Sequence, residues 1–155
     1  MLVEIATAAS EAATPYREQA RKRGSFIDVR IDPAAVAVRA DPVAVRQALG
    51  NLVENAVRYT PPGGTVTIFS RLDGGFIVLG VRDTGAGIPR EHLPRIFERF
   101  YRVDAARSRA EGGTGLGLAI VKHLVEAHGG SVRAESELGR GTTVSMFFPR
   151  LVAVS

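Results

Sequence analysis

Apolar positions recur with two different periods along this chain, and the periods divide it into helices and strands. Ile5, Ala9, Ala12, Ala13, Tyr16 and Ala20 share one helical face, and Gly24 is placed to end that helix. Ile27, Val29 and Ile31 alternate with polar neighbours, the period-two signature of a strand. Val36 to Arg39 reads as a second short strand. Asp41-Pro42 pairs an N-cap residue with a proline at the first helical position. The helix that follows turns Val45, Ala48, Leu49, Leu52, Val53 and Ala56 to one side, and Pro61-Pro62-Gly63-Gly64 stops it.

The second half continues the alternation. Thr65 to Arg71 and Phe76 to Arg82 are strands joined through Asp73-Gly74-Gly75, a hairpin signal. Residues 89 to 103 suggest short helical pieces broken by Pro94, and residues 104 to 115 read as a polar, mobile loop. Leu116 to Ala127 forms a helix closed by Gly129-Gly130. Ser131 to Glu135 and Thr142 to Phe148 are strands joined through Gly139-Arg140-Gly141. Hairpins with helices on one side predict an α/β fold, a two-layer α/β sandwich. Its sheet is mixed, mostly antiparallel, and packs on about three helices. No internal repeat or linker interrupts residues 1–155, so a single domain is expected.

Composition narrows the chemistry. The 155 residues include 20 basic and 16 acidic side chains, a formal charge of +4, and all but two of the basic ones are arginine. There is no cysteine, which excludes a disulfide scaffold, a thiolate metal site and a cysteine nucleophile. No apolar run approaches the roughly 18 residues of a membrane helix. The densest basic run, Arg17, Arg21, Lys22 and Arg23, sits at a helix C-terminus, where cations complement the dipole. It has no aromatic interleaving, so no nucleic-acid partner is expected. His92, His123 and His128 lack metal-ligand spacing, and His128 is placed to cap a helix end.

Glycine placement points to function. Eight of the 17 glycines fall at 85, 87, 112, 113, 115, 117, 139 and 141. Asp83-Thr84-Gly85-Ala86-Gly87-Ile88 ends an apolar strand, and a carboxylate there can accept a hydrogen bond from an exocyclic amine. The same residues fit a plain strand-ending turn. Asp-Thr-Gly-Ala also fits the active-site turn of retroviral-type aspartic proteases, with Leu138-Gly139-Arg140 echoing their second motif. Gly112-Gly113-Thr114-Gly115-Leu116-Gly117-Leu118 leads into a helix, where backbone N–H groups can meet an anion. It lacks the third glycine of a dinucleotide fingerprint and the Gly-Lys-Ser/Thr of a P-loop. On the second helix, Asn51, Asn55, Arg58 and Tyr59 share one face. Two amide oxygens one turn apart suit a hard cation such as Mg²⁺, and Arg58 a phosphate. A solvated face with a Glu54–Arg58 ion pair also accounts for them.

Together these motifs resemble the catalytic ATP-binding (HATPase) domain of bacterial two-component sensor histidine kinases, in the GHKL superfamily with its Bergerat ATP-binding fold. Asn51-Leu52-Val53-Glu54-Asn55-Ala56-Val57-Arg58-Tyr59-Thr60-Pro61 resembles the N box, and Asp83-Thr84-Gly85-Ala86-Gly87-Ile88-Pro89 the G1 box. Arg95-Ile96-Phe97-Glu98-Arg99-Phe100-Tyr101-Arg102 is similar to the F box. Gly113-Thr114-Gly115-Leu116-Gly117-Leu118-Ala119-Ile120-Val121 resembles the G2 box, and Gly139-Arg140-Gly141-Thr142 the last glycine motif. The five stand in family order from about Val3 to Pro149. The protease alternative explains neither the asparagine helix nor the second glycine run.

The resemblance implies roles. Asp83 would bind the adenine amino group, supported by Thr142. Asn55 would ligate Mg²⁺, assisted by Asn51, while Arg58 and Tyr59 flank the phosphates and the ring, and Arg102 approaches the γ-phosphate. Gly85, Gly87, Ile88, Gly113, Thr114, Gly115, Leu116 and Gly117 would shape the pocket and an ATP lid over 98–117. ATP-hydrolysing relatives place a glutamate where Asn51 stands, so transfer to a protein acceptor is expected over hydrolysis. The implied acceptor is a histidine on the dimerisation domain of a parent kinase, with a response regulator beyond it. A Ser/Thr kinase of the anti-sigma type and a non-catalytic nucleotide-binding module are the alternatives. No histidine precedes His92, so the chain is expected to be the catalytic domain alone, a monomeric fragment of a homodimeric parent that cannot phosphorylate itself. A cytoplasmic domain of a parent anchored in the inner membrane is implied.

Overall fold

The computed structural model describes residues 1–102 and 116–150. Strand β1 (Leu2–Glu4) runs directly into helix α1 (Ile5–Lys22), followed by β2 (Phe26–Ile31), β3 (Ala37–Arg39) and helix α2 (Pro42–Tyr59). The hairpin β4 (Thr65–Asp73) and β5 (Phe76–Asp83) leads to a 3₁₀ helix over Arg90–Arg95. Helix α3 (Gly117–Ala127) precedes the closing hairpin β6 (Ser131–Glu137) and β7 (Gly141–Pro149).

The five-stranded sheet has the order β2-β4-β5-β7-β6. Only β2–β4 is parallel; the other three pairings are antiparallel. The expected α/β two-layer sandwich, a mixed and mostly antiparallel sheet packed on helices, is the architecture found, with three α-helices among the described residues. β1 pairs with β3 as a separate two-stranded ladder. The sequence pattern did not reveal β1, since three residues are too few to display a period.

Alternation decides which sheet face meets the helices. Val66, Ile68, Ile77, Leu79, Val81, Val144 and Met146 point into the core, where Leu49, Val53 and Val57 of α2 meet Val121 and Val125 of α3. Leu49 is fully buried, which stabilises the fold by roughly 2 kcal/mol through burial alone.

The helix ends obey their sequence signals. Asp41 caps α2 by accepting the Val43 N–H at 2.9 Å. After α1, Ser25 N–H donates to the Ala20 carbonyl and Gly24 N–H to that of Arg21, a Schellman closure. After α3, Gly130 N–H donates to Val125 and Gly129 N–H to Glu126 in the same pattern. His128 adds a tie: Nδ1–H donates to the Leu124 carbonyl at 2.8 Å, and Nε2 accepts the Asp41 N–H at 3.1 Å. The end of α3 is thereby joined to the start of α2. Among the described residues no helix is long and apolar enough to cross a membrane.

Candidate functional site

The register of three strands lines up the central groups. Val81, Val144 and Ala134 face one another across β5, β7 and β6, and all three pack in the core layer. Two residues further along each strand, on the same face, come Asp83, Thr142 and Ser136. One row of the sheet therefore changes from apolar to polar where the strands run out beneath the helix layer.

Asp83 is fixed by backbone. Its Oδ1 accepts the N–H of Gly85 at 2.9 Å and of Thr142 at 3.2 Å. Its Oδ2 has no hydrogen-bond partner among the described residues. Burial pushes its carboxyl above the usual aspartate range, against the two N–H groups that pull it down. The chain approaches itself closely here. A Cβ on Gly141, whose φ is +128°, would run into the Asp83 carbonyl, and one on Gly87 would meet the Glu137 carbonyl. A Cβ on Gly85 would come within 2.8 Å of the Tyr59 carbonyl, so the last turn of α2 lies against the turn after β5.

Ser136 was not found from sequence. Its Oγ accepts the Ile88 N–H at 2.7 Å, donates to the Gly141 carbonyl at 2.9 Å, and lies 2.9 Å from Thr142 Oγ1. It thus joins the turn carrying Ile88 to the strand carrying Thr142. A serine in a half-exposed strand looks like any solvent-facing polar residue, and only the register opposite Thr142 marks it.

Helix α2 supplies the other wall. Asn51 Nδ2 donates to the carbonyl of Gly117, the first residue of α3, at 3.4 Å, leaving Oδ1 to face elsewhere. Asn55, one turn on, is half-buried with no side-chain hydrogen bond among the described residues. Among the described residues, nothing beyond its own helix and chain neighbours lies within 4 Å of where a Cβ on Gly117 would stand. Among the described residues no three His, Asp or Glu side chains gather as a metal cage, so the amide oxygens are the donors a hard cation would find.

Arg58 is engaged through one of its terminal nitrogens. Its Nη2 is bound by Glu54 at 3.0 Å, and Glu54 also accepts the Tyr16 hydroxyl at 3.2 Å. The i,i+4 ion pair that the helix face allowed is therefore formed, and Glu54 is committed to Arg58 and α1. Burial, then the Glu54 charge, pushes the Tyr16 hydroxyl up. In the F-box segment, Ile96 is buried and Phe97 packs on the core. Arg95 stacks 4.6 Å from the Tyr101 ring, whose hydroxyl bonds His92. Arg102 has a buried Nε with no partner among the described residues. Leu116 stands at the N-cap of α3. Gly113, Thr114, Gly115, and with them most of the expected lid and the loop at 104–115, lie outside the described residues.

The family model described as "Histidine kinase-, DNA gyrase B-, and HSP90-like ATPase" matches residues 40–152. The chain is 44% identical over 151 residues to the sensor-like histidine kinase SenX3 of Mycobacterium tuberculosis, covering 97% of this chain and 36% of SenX3. The mycobacterial sensor histidine kinase MprB superposes with a TM-score of 0.82 at 31% identity, covering 98% of this chain and 100% of that one. Full-length ShkA, solved in complex with AMPPNP, gives a TM-score of 0.82 at 33% identity, over 100% of this chain and 32% of that one. The chain belongs to the histidine kinase-, DNA gyrase B- and HSP90-like ATPase family, as the HATPase domain of a sensor histidine kinase.

Proposed function

We propose that the chain binds Mg-ATP and donates its γ-phosphoryl group to a histidine on the dimerisation domain of a sensor kinase in two-component signalling. The observation that carries this reading is Asp83. Two backbone amides hold Oδ1 and leave Oδ2 a fixed acceptor with no partner among the described residues. A desolvated acceptor of this kind discriminates strongly for a ligand N–H, because leaving it unmade costs about 1–3 kcal/mol. The adenine amino group supplies such a donor. ShkA's complex with AMPPNP, an ATP analogue, supports the same ligand class.

The remaining residues fit the rest of the nucleotide. Asn55, with Asn51 beside it, offers amide oxygens to Mg²⁺, which when bound shields the phosphate charge. Arg58 keeps Nη1 for a phosphate oxygen while Glu54 holds Nη2. Tyr59 borders the base through the turn it touches at Gly85. Arg102, whose Nε has no partner among the described residues, approaches the γ-phosphate. Gly87, Ile88, Leu116 and Gly117 line the rim; Gly113, Thr114 and Gly115, which the resemblance assigns to the pocket and lid, lie outside the described residues. Asn51 cannot take a proton from water, and Glu54 is occupied by Arg58 and Tyr16. This favours phosphoryl transfer, where positioning and charge stabilisation do most of the work, over hydrolysis.

Asp83→Asn tests the reading. The amide keeps Oδ1 for both backbone donors but presents an NH₂ where Oδ2 stood. Calorimetric titration should show ATP affinity reduced by two orders of magnitude or more in a folded protein. Unchanged affinity would refute the adenine role.

A further inference from the structure

The polar row across β5, β7 and β6 has a direction, set by proton counting. A serine hydroxyl has one proton and two lone pairs. The Ser136 proton goes to the Gly141 carbonyl, and one lone pair takes the Ile88 N–H. The second lone pair faces Thr142 Oγ1 at 2.9 Å. With the Ser136 proton already placed, Thr142 must be the donor in that contact. Its backbone N–H is placed too, on Asp83 Oδ1. The Thr142 hydroxyl is then left with lone pairs only, at the register position paired with Asp83, whose Oδ2 has no hydrogen-bond partner among the described residues.

We propose that Ser136 is a positioning residue for base selection: it holds the Thr142 proton away from the base, so that Thr142 and Asp83 present two acceptors side by side. Such a pair accepts from an exocyclic amine, directly or through a water, and repels a carbonyl oxygen at the same position. The ligand class is a 6-aminopurine nucleotide in preference to a 6-oxopurine one. Without Ser136 the Thr142 hydroxyl rotates freely and donates, and the rejection of the oxo base relaxes. The inference rests on the reading of Asp83 as the base-binding carboxylate.

The test compares ATP with inosine triphosphate, which differs by the amine-to-oxo exchange. Affinities for the 155-residue chain are measured by calorimetry with Mg²⁺, and melting temperatures are recorded alongside. Ser136→Ala should lower the ATP-to-inosine-triphosphate affinity ratio about five-fold, the size of one hydrogen bond. Ser136→Thr, which restores the hydroxyl, should return it towards the starting value. Thr142→Val should lower the ratio to the same extent, and Ser136→Ala added to it should change nothing more. A purely structural Ser136 would lower the melting temperature and weaken both nucleotides equally, and that result overturns the proposal. An unchanged ratio in Thr142→Val overturns it as well, even if Ser136→Ala does not fold. Asp83→Asn separates the two layers. Undiminished ATP affinity there removes the reading underneath, whereas lost affinity with unchanged ratios in the other variants removes only the role of Ser136.

Discussion

Asp83 is a buried carboxylate held at a cost in stability. Its carboxylate is desolvated, and two backbone N–H groups on a single oxygen do not fully compensate. Its folded pKa is therefore raised above the ordinary value near 3.8. Between those two values the folded state holds more protons than the unfolded one, so stability falls as pH rises through the window. Above the window the cost of the buried charge is constant. Asp83→Asn removes that cost and keeps the Oδ1 bonds. The nucleotide-free variant should therefore melt above the wild type at pH 7, and the gap should narrow as pH is lowered towards 4. Paired thermal melts across that range check this; a gap that widens on acidification would show that the carboxylate is stabilising after all.

At the scale of elements, the caps were the most legible feature, because each is a local agreement between sequence and backbone. Asp41-Pro42 starts α2, and Gly24 and Gly129 end α1 and α3 where the sequence places them. The asparagine stripe was legible for the same reason: it needs only helical period. What stayed hidden depended on partners distant in sequence. β1 exists through its ladder with β3, Ser136 through its register with β7, and the commitment of Glu54 through Tyr16 on another helix. Glycine, too, means different things by context. A Cβ on Gly130 would drive into the Phe147 carbonyl, which is backbone and cannot yield cheaply, whereas a Cβ on Gly50, inside α2, meets no atom within 4 Å. Gly130→Ala should destabilise the domain by roughly 2 kcal/mol, a drop of about 4–8 °C in melting temperature. Gly50→Ala should stabilise it by about 0.5–1 kcal/mol through helix propensity. Differential scanning calorimetry of both variants reads the two signs, and a shared sign would show that the packing around one of them is wrongly understood.

Across the whole molecule the sheet separates two kinds of surface. The helix-free face carries arginines laid on phenylalanine rings, Arg82 on Phe69 and Arg133 with Arg71 on Phe147. A cavity of about 590 Å³ there includes Arg30, Phe69, Arg82, Glu135 and Ser145, with charges of both signs. It lies across the sheet from Asp83, Thr142 and Ser136, whose row faces the helix layer. Of the chain's own histidines, two are hydrogen-bonded and one is exposed. His128 uses both ring nitrogens, His92 is bonded to Tyr101, and His123 lies exposed on α3. On the proposed reading, the acceptor comes to the nucleotide from another domain. With radiolabelled ATP and Mg²⁺, the chain alone should stay unlabelled. Adding a histidine-bearing helical dimerisation domain of the sensor-kinase type should place label on that domain. The label should be lost in acid and kept in base, and Asp83→Asn should abolish the transfer. Acid-stable label would assign a Ser/Thr acceptor instead, and acid-labile label on the chain alone would overturn the division of labour between the two domains.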